Sequence, residues 1–308
     1  MGKKRKSGLR IVGTVLLILA VIAVGALAYI GNFFFNYALN PNAKVSFMEK
    51  APIAWGAWLG SAAQDLWLES DDGLDLHALY APVEGSHSYV ILCHGYGNQA
   101  AGMQEYGQHF YEQGYSVLMP NARASGDSEG AYMGMGWPER RDIVKWANTL
   151  VKSDPQAKIA LFGVSMGAAT VMMVSGEADL PANVKCVVED CGYTSVWDEF
   201  TAQLKELYGI PPVPVLSAAS LVTRLRAGYF LGEASALAQV KKSATPTLFI
   251  HGDKDTFVPF SMLDELYNAA SCEKEKLVVE GAEHAKSREV DPELYWGTVD
   301  AFLNRYMG

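Results

Sequence analysis

Three side chains in this sequence have the types and order needed to cleave an acyl bond. Ser165 lies in Gly163-Val164-Ser165-Met166-Gly167, a G-x-S-x-G run. The mostly apolar Lys158–Phe162 precedes it and the helix-like Ala168–Val174 follows. Strand, sharp turn and helix form the context that presents such a serine as a nucleophile. Glycines flank it because a strained turn needs small neighbours. A serine hydroxyl needs a base within hydrogen-bond reach, and the base needs a carboxylate to hold its tautomer. In this arrangement the chain order is serine, acid, histidine. After Ser165 only His251 and His284 remain. His284 ends Glu280-Gly281-Ala282-Glu283-His284, a loop just past an apolar run, and is assigned the base. His251 precedes the acid and is the wrong member. Asp255 lies a few residues beyond the run ending at Ile250 and is the first choice of acid. Asp190, at the end of another apolar run, is the second. Asp253 is the third, being suited to bonding its own turn.

The developing oxyanion needs preorganised backbone N–H donors. Met166, next after the nucleophile, is one candidate. Tyr96, in His94-Gly95-Tyr96-Gly97 after the run ending at Cys93, is the other. His94 is expected to order that loop through hydrogen bonds. This chemistry calls for no cofactor, metal or organic. No CxxC pair or His/Cys cluster points to a metal site. Cys93 and Cys186 sit in apolar runs, and with Cys191 and Cys272 they are expected to form no essential disulfide.

Elements that could position these residues can be read along the chain. Asp65–Ser70 and Leu74–Ala81 alternate around Asp71-Asp72-Gly73 and predict a β-hairpin. Apolar strands are then predicted at Tyr89–Cys93, Tyr115–Met119, Ile159–Phe162, Val184–Val188, Pro246–Ile250 and Lys276–Val279. Helices are predicted near 100–113, 138–152, 260–270 and 292–306. Strands apolar throughout, alternating with helices, imply an α/β fold with a mostly parallel sheet covered on both faces. The interval from Val188 to Pro246 is too long for one crossover helix. It reads as an inserted helical cap, about 193–243, over the sheet edge where ligands bind.

The chain has 308 residues, half of them hydrophobic, and a formal charge of −9, which argues against nucleic-acid binding. Lys3, Lys4, Arg5, Lys6 and Arg10 precede an uncharged stretch from Ile11 to Ile30. That stretch is long enough to cross a bilayer, and the basic flank places the following bulk outside the cytoplasm. An uncleaved signal anchor is favoured by its length. The alternative is a cleaved signal peptide, with Ala26-Leu27-Ala28 as the small-residue site. The expected organisation is a basic tip and anchor over 1–31, a juxtamembrane linker over 32–64 and a catalytic domain over 65–308. Phe33, Phe34, Phe35, Tyr37, Trp55 and Trp58 suit either a membrane interface or packing on the domain.

With these residues in place, the chain from about residue 65 onward resembles the α/β-hydrolase superfamily. The markers are His94-Gly95, Gly163-x-Ser165-x-Gly167, His251-Gly252-x-x-Asp255-x-x-Val258-Pro259 and Gly281-x-x-His284, in that order. The resemblance implies nucleophile Ser165, acid Asp255, base His284 and oxyanion donors Tyr96 and Met166. Asp190-Cys191-Gly192-Tyr193-Thr194-Ser195 and the N-terminal helix resemble the membrane-anchored Bem46-like or peptidase S9-like group. One departure stands at Asn121–Ser128, where Ala124 replaces a glycine of the family pattern. The function implied is a serine esterase on a small-molecule or lipid-like ester. Thioesterase, peptidase, lipase and acyltransferase chemistry remain open on the same residues, as does a non-catalytic binding role.

Overall fold

The computed structural model describes residues 2–41 and 56–308. Helix α1 (Gly2–Leu39) and the short α2 (Ala57–Ala62) precede a hairpin of β1 (Gln64–Glu69) and β2 (Asp75–Ala81). Then come β3 (Ser88–Cys93), a 3-10 turn at Ala100–Met103, α3 (Gln104–Glu112), β4 (Ser116–Pro120) and α4 (Glu139–Ser153). They are followed by β5 (Lys158–Val164), α5 (Met166–Ser175) and β6 (Val184–Asp190). An insertion holds α6 (Val196–Tyr208), α7 (Val215–Ala227) and α8 (Ala236–Val240). The chain closes with β7 (Thr247–Gly252), α9 (Ser261–Ala269), β8 (Lys274–Val279), α10 (Ser287–Val290) and α11 (Pro292–Met307).

Among the described residues the strands form one eight-stranded sheet in the order β1-β2-β4-β3-β5-β6-β7-β8. β2 runs antiparallel to both its neighbours; every pair from β4 to β8 is parallel. The continuous apolar runs have a simple cause. Successive strand residues point to opposite faces, and both faces are covered. Val90, Leu92, Ala160 and Phe162 pack with Phe110 of α3 and Phe302 of α11. Ile91, Cys93, Ile159 and Leu161 pack on the other side with Trp146 of α4 and Val171 of α5.

One expectation about the N-terminal region is corrected. The helix does not give way to a linker at residue 32 but continues to Leu39. Phe35 and Leu39 are buried there, one turn apart on the face that meets α7, and this packing extends the helix. Phe34 meets Tyr208 edge-on. Trp58 packs on α3, its ring 5.6 Å from that of Tyr111, which is the second of the two readings given for it. β1 then begins at Gln64. Trp55 and the rest of the linker over 42–55 lie outside the described residues. The stretch from Gly8 to Leu39 is long and apolar enough to cross a membrane, with a mean hydropathy of 2.8 over its most apolar window.

Candidate active site

β5 ends at Val164 and α5 begins at Met166, so Ser165 alone makes the turn. Its backbone is left-handed, with φ 58° and ψ −118°. For a residue with a Cβ this costs about 1–3 kcal/mol and persists only where surroundings enforce it. Here the Ser165 N–H donates to the Asp190 carbonyl at 2.8 Å, tying the turn to β6. A Cβ on Gly167 would run into the Cys93 carbonyl oxygen, and one on Gly163 into that of Gly167. The two glycines of the motif are therefore required by close backbone approach.

Ser165 Oγ lies 2.8 Å from His284 Nε2, and His284 Nδ1 lies 2.7 Å from Asp255 Oδ2. The imidazole therefore bridges hydroxyl and carboxylate. It remains partly exposed, whereas the Asp255 side chain is fully buried. Asp255 Oδ1 accepts from the N–H groups of Phe257 and Val258, each at 2.9 Å. Burial pushes the Asp255 carboxyl up, but the hydrogen bonds from His251 and His284 outweigh it and hold the group below its usual range. Phe257 covers the His284 ring at a centroid distance of 4.8 Å.

The alternative acids have other partners. Asp190 Oδ2 accepts from Tyr295 Oη at 2.8 Å, and burial pushes this carboxyl up to about 6. Asp253 Oδ1 accepts from the Gly281 N–H at 2.6 Å, closing the loop that carries His284. His251 is buried beside the acid: its Nε2 lies 3.1 Å from both Asp255 Oδ2 and the Val258 carbonyl. Both neighbours accept, so Nε2 carries the proton. Sequence order had excluded His251 as the base; the structure places it as a second donor to Asp255.

Met166 opens α5, where first-turn N–H groups have no acceptor within the helix. Tyr96 follows β3, and both residues line a cavity at Ser165 of about 20 Å³. The His94 ring bridges two loops. Its Nε2 accepts from the Ala122 N–H at 3.0 Å and its Nδ1 donates to the Gly95 carbonyl at 2.8 Å. Burial pushes its pKa down to about 4, so it bridges as the neutral ring. At the departure from the family pattern, Ala124 has φ 58°, so it keeps a left-handed backbone that glycine would adopt without strain. Arg123 anchors this loop through paired bonds to Asp142 and Asp72, each between 2.6 and 2.8 Å.

The four cysteines are free thiols. Cys191, Asp255 and His284 offer donor atoms within 4.8 Å of one another. Burial raises the Cys191 thiol well above its ordinary value.

The insertion supplies site residues that sequence reasoning missed. Tyr193 precedes α6, and Glu199, Phe200 and Gln203 on that helix line the Ser165 cavity. The overlooked signal is the cap Ser195-x-x-Asp198: Ser195 Oγ accepts from the Asp198 N–H at 3.1 Å. A helix begun there puts 199 and 203 on one face. Gln203 donates to Glu199 Oε1 at 3.0 Å and to the Phe257 carbonyl at 2.6 Å.

Glu199 has a measurable consequence. Burial pushes its carboxyl up to about 8 despite the Gln203 hydrogen bond, and burial pushes Glu139 up to about 7. An unfolded chain releases these protons at about 4.3. Between those values the native state binds more protons than the unfolded one, so stability falls as pH rises. The melting temperature is expected to be lower at about pH 8.5 than at about pH 5.5, and Glu199→Gln is expected to flatten the decline. Thermal melts across that range check this; an unchanged slope in the variant would assign the proton uptake elsewhere.

Comparison with known proteins gives consistent matches. A family model described as serine aminopeptidase, S33, matches residues 85–210. The Bacillus subtilis (strain 168) protein YqkD is 29% identical over 233 residues, which cover 75% of this chain and 76% of that one. The Arabidopsis thaliana alpha/beta hydrolase domain-containing protein WAV2 is 26% identical over 260 residues, 79% of each chain. Among solved structures, the Pyrococcus furiosus esterase Pf2001 is similar with a TM-score of 0.67 at 25% identity, over 83% of this chain and 99% of that one.

Proposed function

We propose that this chain, a member of the α/β-hydrolase superfamily, is a serine hydrolase that cleaves carboxylic esters through an acyl-enzyme on Ser165. The observation that carries this reading is the unbroken hydrogen-bond chain from Ser165 Oγ through His284 to Asp255. Ser165 Oγ attacks the ester carbonyl while His284 Nε2 takes its proton. Asp255 stabilises the imidazolium through Nδ1. The backbone N–H groups of Tyr96 and Met166 receive the oxyanion. Collapse expels the alcohol, which leaves with the proton from His284, and the acyl group stays on Ser165. Water then attacks the acyl carbonyl as His284 takes its proton; collapse breaks the bond to Ser165 Oγ, which recovers the proton from His284, and the acid is released. These steps require only this chain's residues, the ester and water.

Similarity to an esterase at 25% identity supports ester substrates, while the family model over residues 85–210 is described as an aminopeptidase. Peptidase, thioesterase and acyltransferase activity use the same residues and are settled by substrate panels. The N-terminal helix anchors the protein in the cell membrane in a single pass. The basic tip stays in the cytoplasm and the domain over 65–308 lies outside it, with the insertion over 193–243 as the cap. A fluorophosphonate probe tests the central claim. The wild type is expected to be labelled on Ser165, and His284→Ala is expected to lose most labelling. A wild type that resists the probe, beside a serine hydrolase that accepts it, would remove the enzyme reading.

A further inference from the structure

Helix α1 serves two environments. Leu9, Ile11, Leu17, Ile22 and Tyr29 are exposed, as side chains that face lipid would be. From Gly31 onward the helix is docked. A Cβ at Gly31 would lie 2.6 Å from the Ala218 carbonyl oxygen, so only glycine lets α1 and α7 approach this closely. Arg226 Nη1 donates to Asn32 at 2.9 Å and Asn36 at 3.2 Å, with its guanidinium 4.1 Å from the Phe35 ring centroid. Tyr96 Oη donates to the Ala38 carbonyl at 2.6 Å. The last turns of α1 are thus bonded to the loop that carries the candidate oxyanion donor.

Those turns also wall a cavity. Phe35 and Leu39 of α1 face Phe200 and Leu204 of α6 and Leu216 and Ala219 of α7 around a space of about 50 Å³. Its lining is almost wholly apolar. Phe200 and Gln203 border both this cavity and the smaller one at Ser165. Gln203 is held by its two hydrogen bonds. Phe200 has no polar atom and is held by packing alone. The inner cavity of about 20 Å³ takes little more than a water-sized group. An acyl chain longer than that must therefore leave it, and on the far side of Phe200 lies the apolar lining of the outer cavity.

The outer side of the insertion also exposes apolar side chains, set among the charged Lys205, Glu206, Arg224 and Arg226. Tyr208, Val213, Leu221, Leu225 and Phe230 are exposed, Leu225 by 77%. They belong to the insertion, whose α7 packs on the base of a helix long enough to span a bilayer. A 20-residue stretch such as Ile11 to Ile30 covers about 30 Å, the thickness of the hydrocarbon core. The turns after Ile30 then lie at the lipid surface, and the cavity lies with them.

We infer that the cavity between α1, α6 and α7 is the acyl-chain site of the Ser165 centre, and that its substrate is a long-chain acyl ester resident in the bilayer that holds α1. Phe200 separates the two cavities, and the membrane helix is one wall of the binding site. This inference rests on the reading of Ser165 as the nucleophile.

The test uses the full chain in phosphatidylcholine nanodiscs with p-nitrophenyl esters from acetate to palmitate. In the wild type kcat/KM is expected to rise with chain length at least as far as decanoate. Ala219→Phe fills the outer cavity and is expected to lower the decanoate-to-acetate ratio by about tenfold or more. Phe200→Ala removes the side chain between the two cavities and is expected to raise that ratio. A wild type that prefers acetate, or a folded Ala219→Phe with an unchanged ratio, would overturn the inference. Should Ala219→Phe fail to fold, an unmoved ratio in Phe200→Ala would overturn it equally. Ser165 labelled by fluorophosphonate, with acetate cleaved but ratios unmoved, would sink the acyl site alone. An unlabelled serine would sink the hydrolase reading beneath it.

Discussion

Ser165→Ala is expected to lower p-nitrophenyl acetate hydrolysis by about 10⁶-fold in kcat, the scale seen when a serine nucleophile is removed. Its melting curve should hardly move. The hydroxyl makes one hydrogen bond, to a partly exposed histidine, and such a bond contributes only about 1 kcal/mol net. The strained φ of 58° is a property of the turn. Alanine keeps the Cβ and inherits the same strain, so the elbow neither gains nor loses it. The pair of measurements is therefore diagnostic: near-complete loss of turnover without loss of stability. Residual turnover above about 1% of wild type would mean that another group attacks the carbonyl.

Asp255→Asn is expected to cost about 10⁴-fold in kcat, and here stability should fall as well. The carboxylate serves four donors: the N–H groups of Phe257 and Val258, His284 and His251. An asparagine has one oxygen. If that oxygen keeps the two backbone N–H groups, the amide NH₂ faces both histidines. His284 Nδ1 must then accept, which places its proton on Nε2 and points it at Ser165, where it can no longer take the serine proton. His251 meets a donor with a donor unless it shifts its own proton and gives up the Val258 carbonyl. One unmade bond of this kind in a buried site costs about 1–3 kcal/mol. Asp253→Asn and Asp190→Asn provide the contrast, since their partners are the Gly281 N–H and Tyr295. Steady-state kinetics and thermal melts on the three variants check the assignment. A kcat loss at Asp190 as large as that at Asp255 would move the acid to β6.

Much of the core was legible because its signals are local. A parallel strand buried on both faces must be apolar at every position, so Tyr89–Cys93 and Ile159–Phe162 announce themselves. The insertion was harder. Its length between Val188 and Pro246 was visible, yet α6 was missed because its start is marked by a single cap at Ser195. In the N-terminal helix the run Ile11–Ile30 is broken by Gly31, Asn32 and Asn36, which makes a helix end near residue 31 the natural reading of the sequence. What prolongs it to Leu39 is packing on α7, a partner nearly 190 residues further along the chain.

The sequence by itself determined the kind and order of the candidate residues: a serine between obligatory glycines, then an acid with three candidates led by Asp255, then His284, each at or just beyond a strand end. Local backbone rules dictate such motifs, so composition and spacing over a few residues suffice. Only the tertiary structure decided that Asp255 rather than Asp190 meets His284, that His251 stands behind the acid, and that Glu199, Phe200 and Gln203 face Ser165. It alone joined the end of α1 to Tyr96 and to the outer cavity. These are contacts between distant segments, and which helix face meets which loop depends on how whole surfaces pack, a property that no short stretch of sequence encodes.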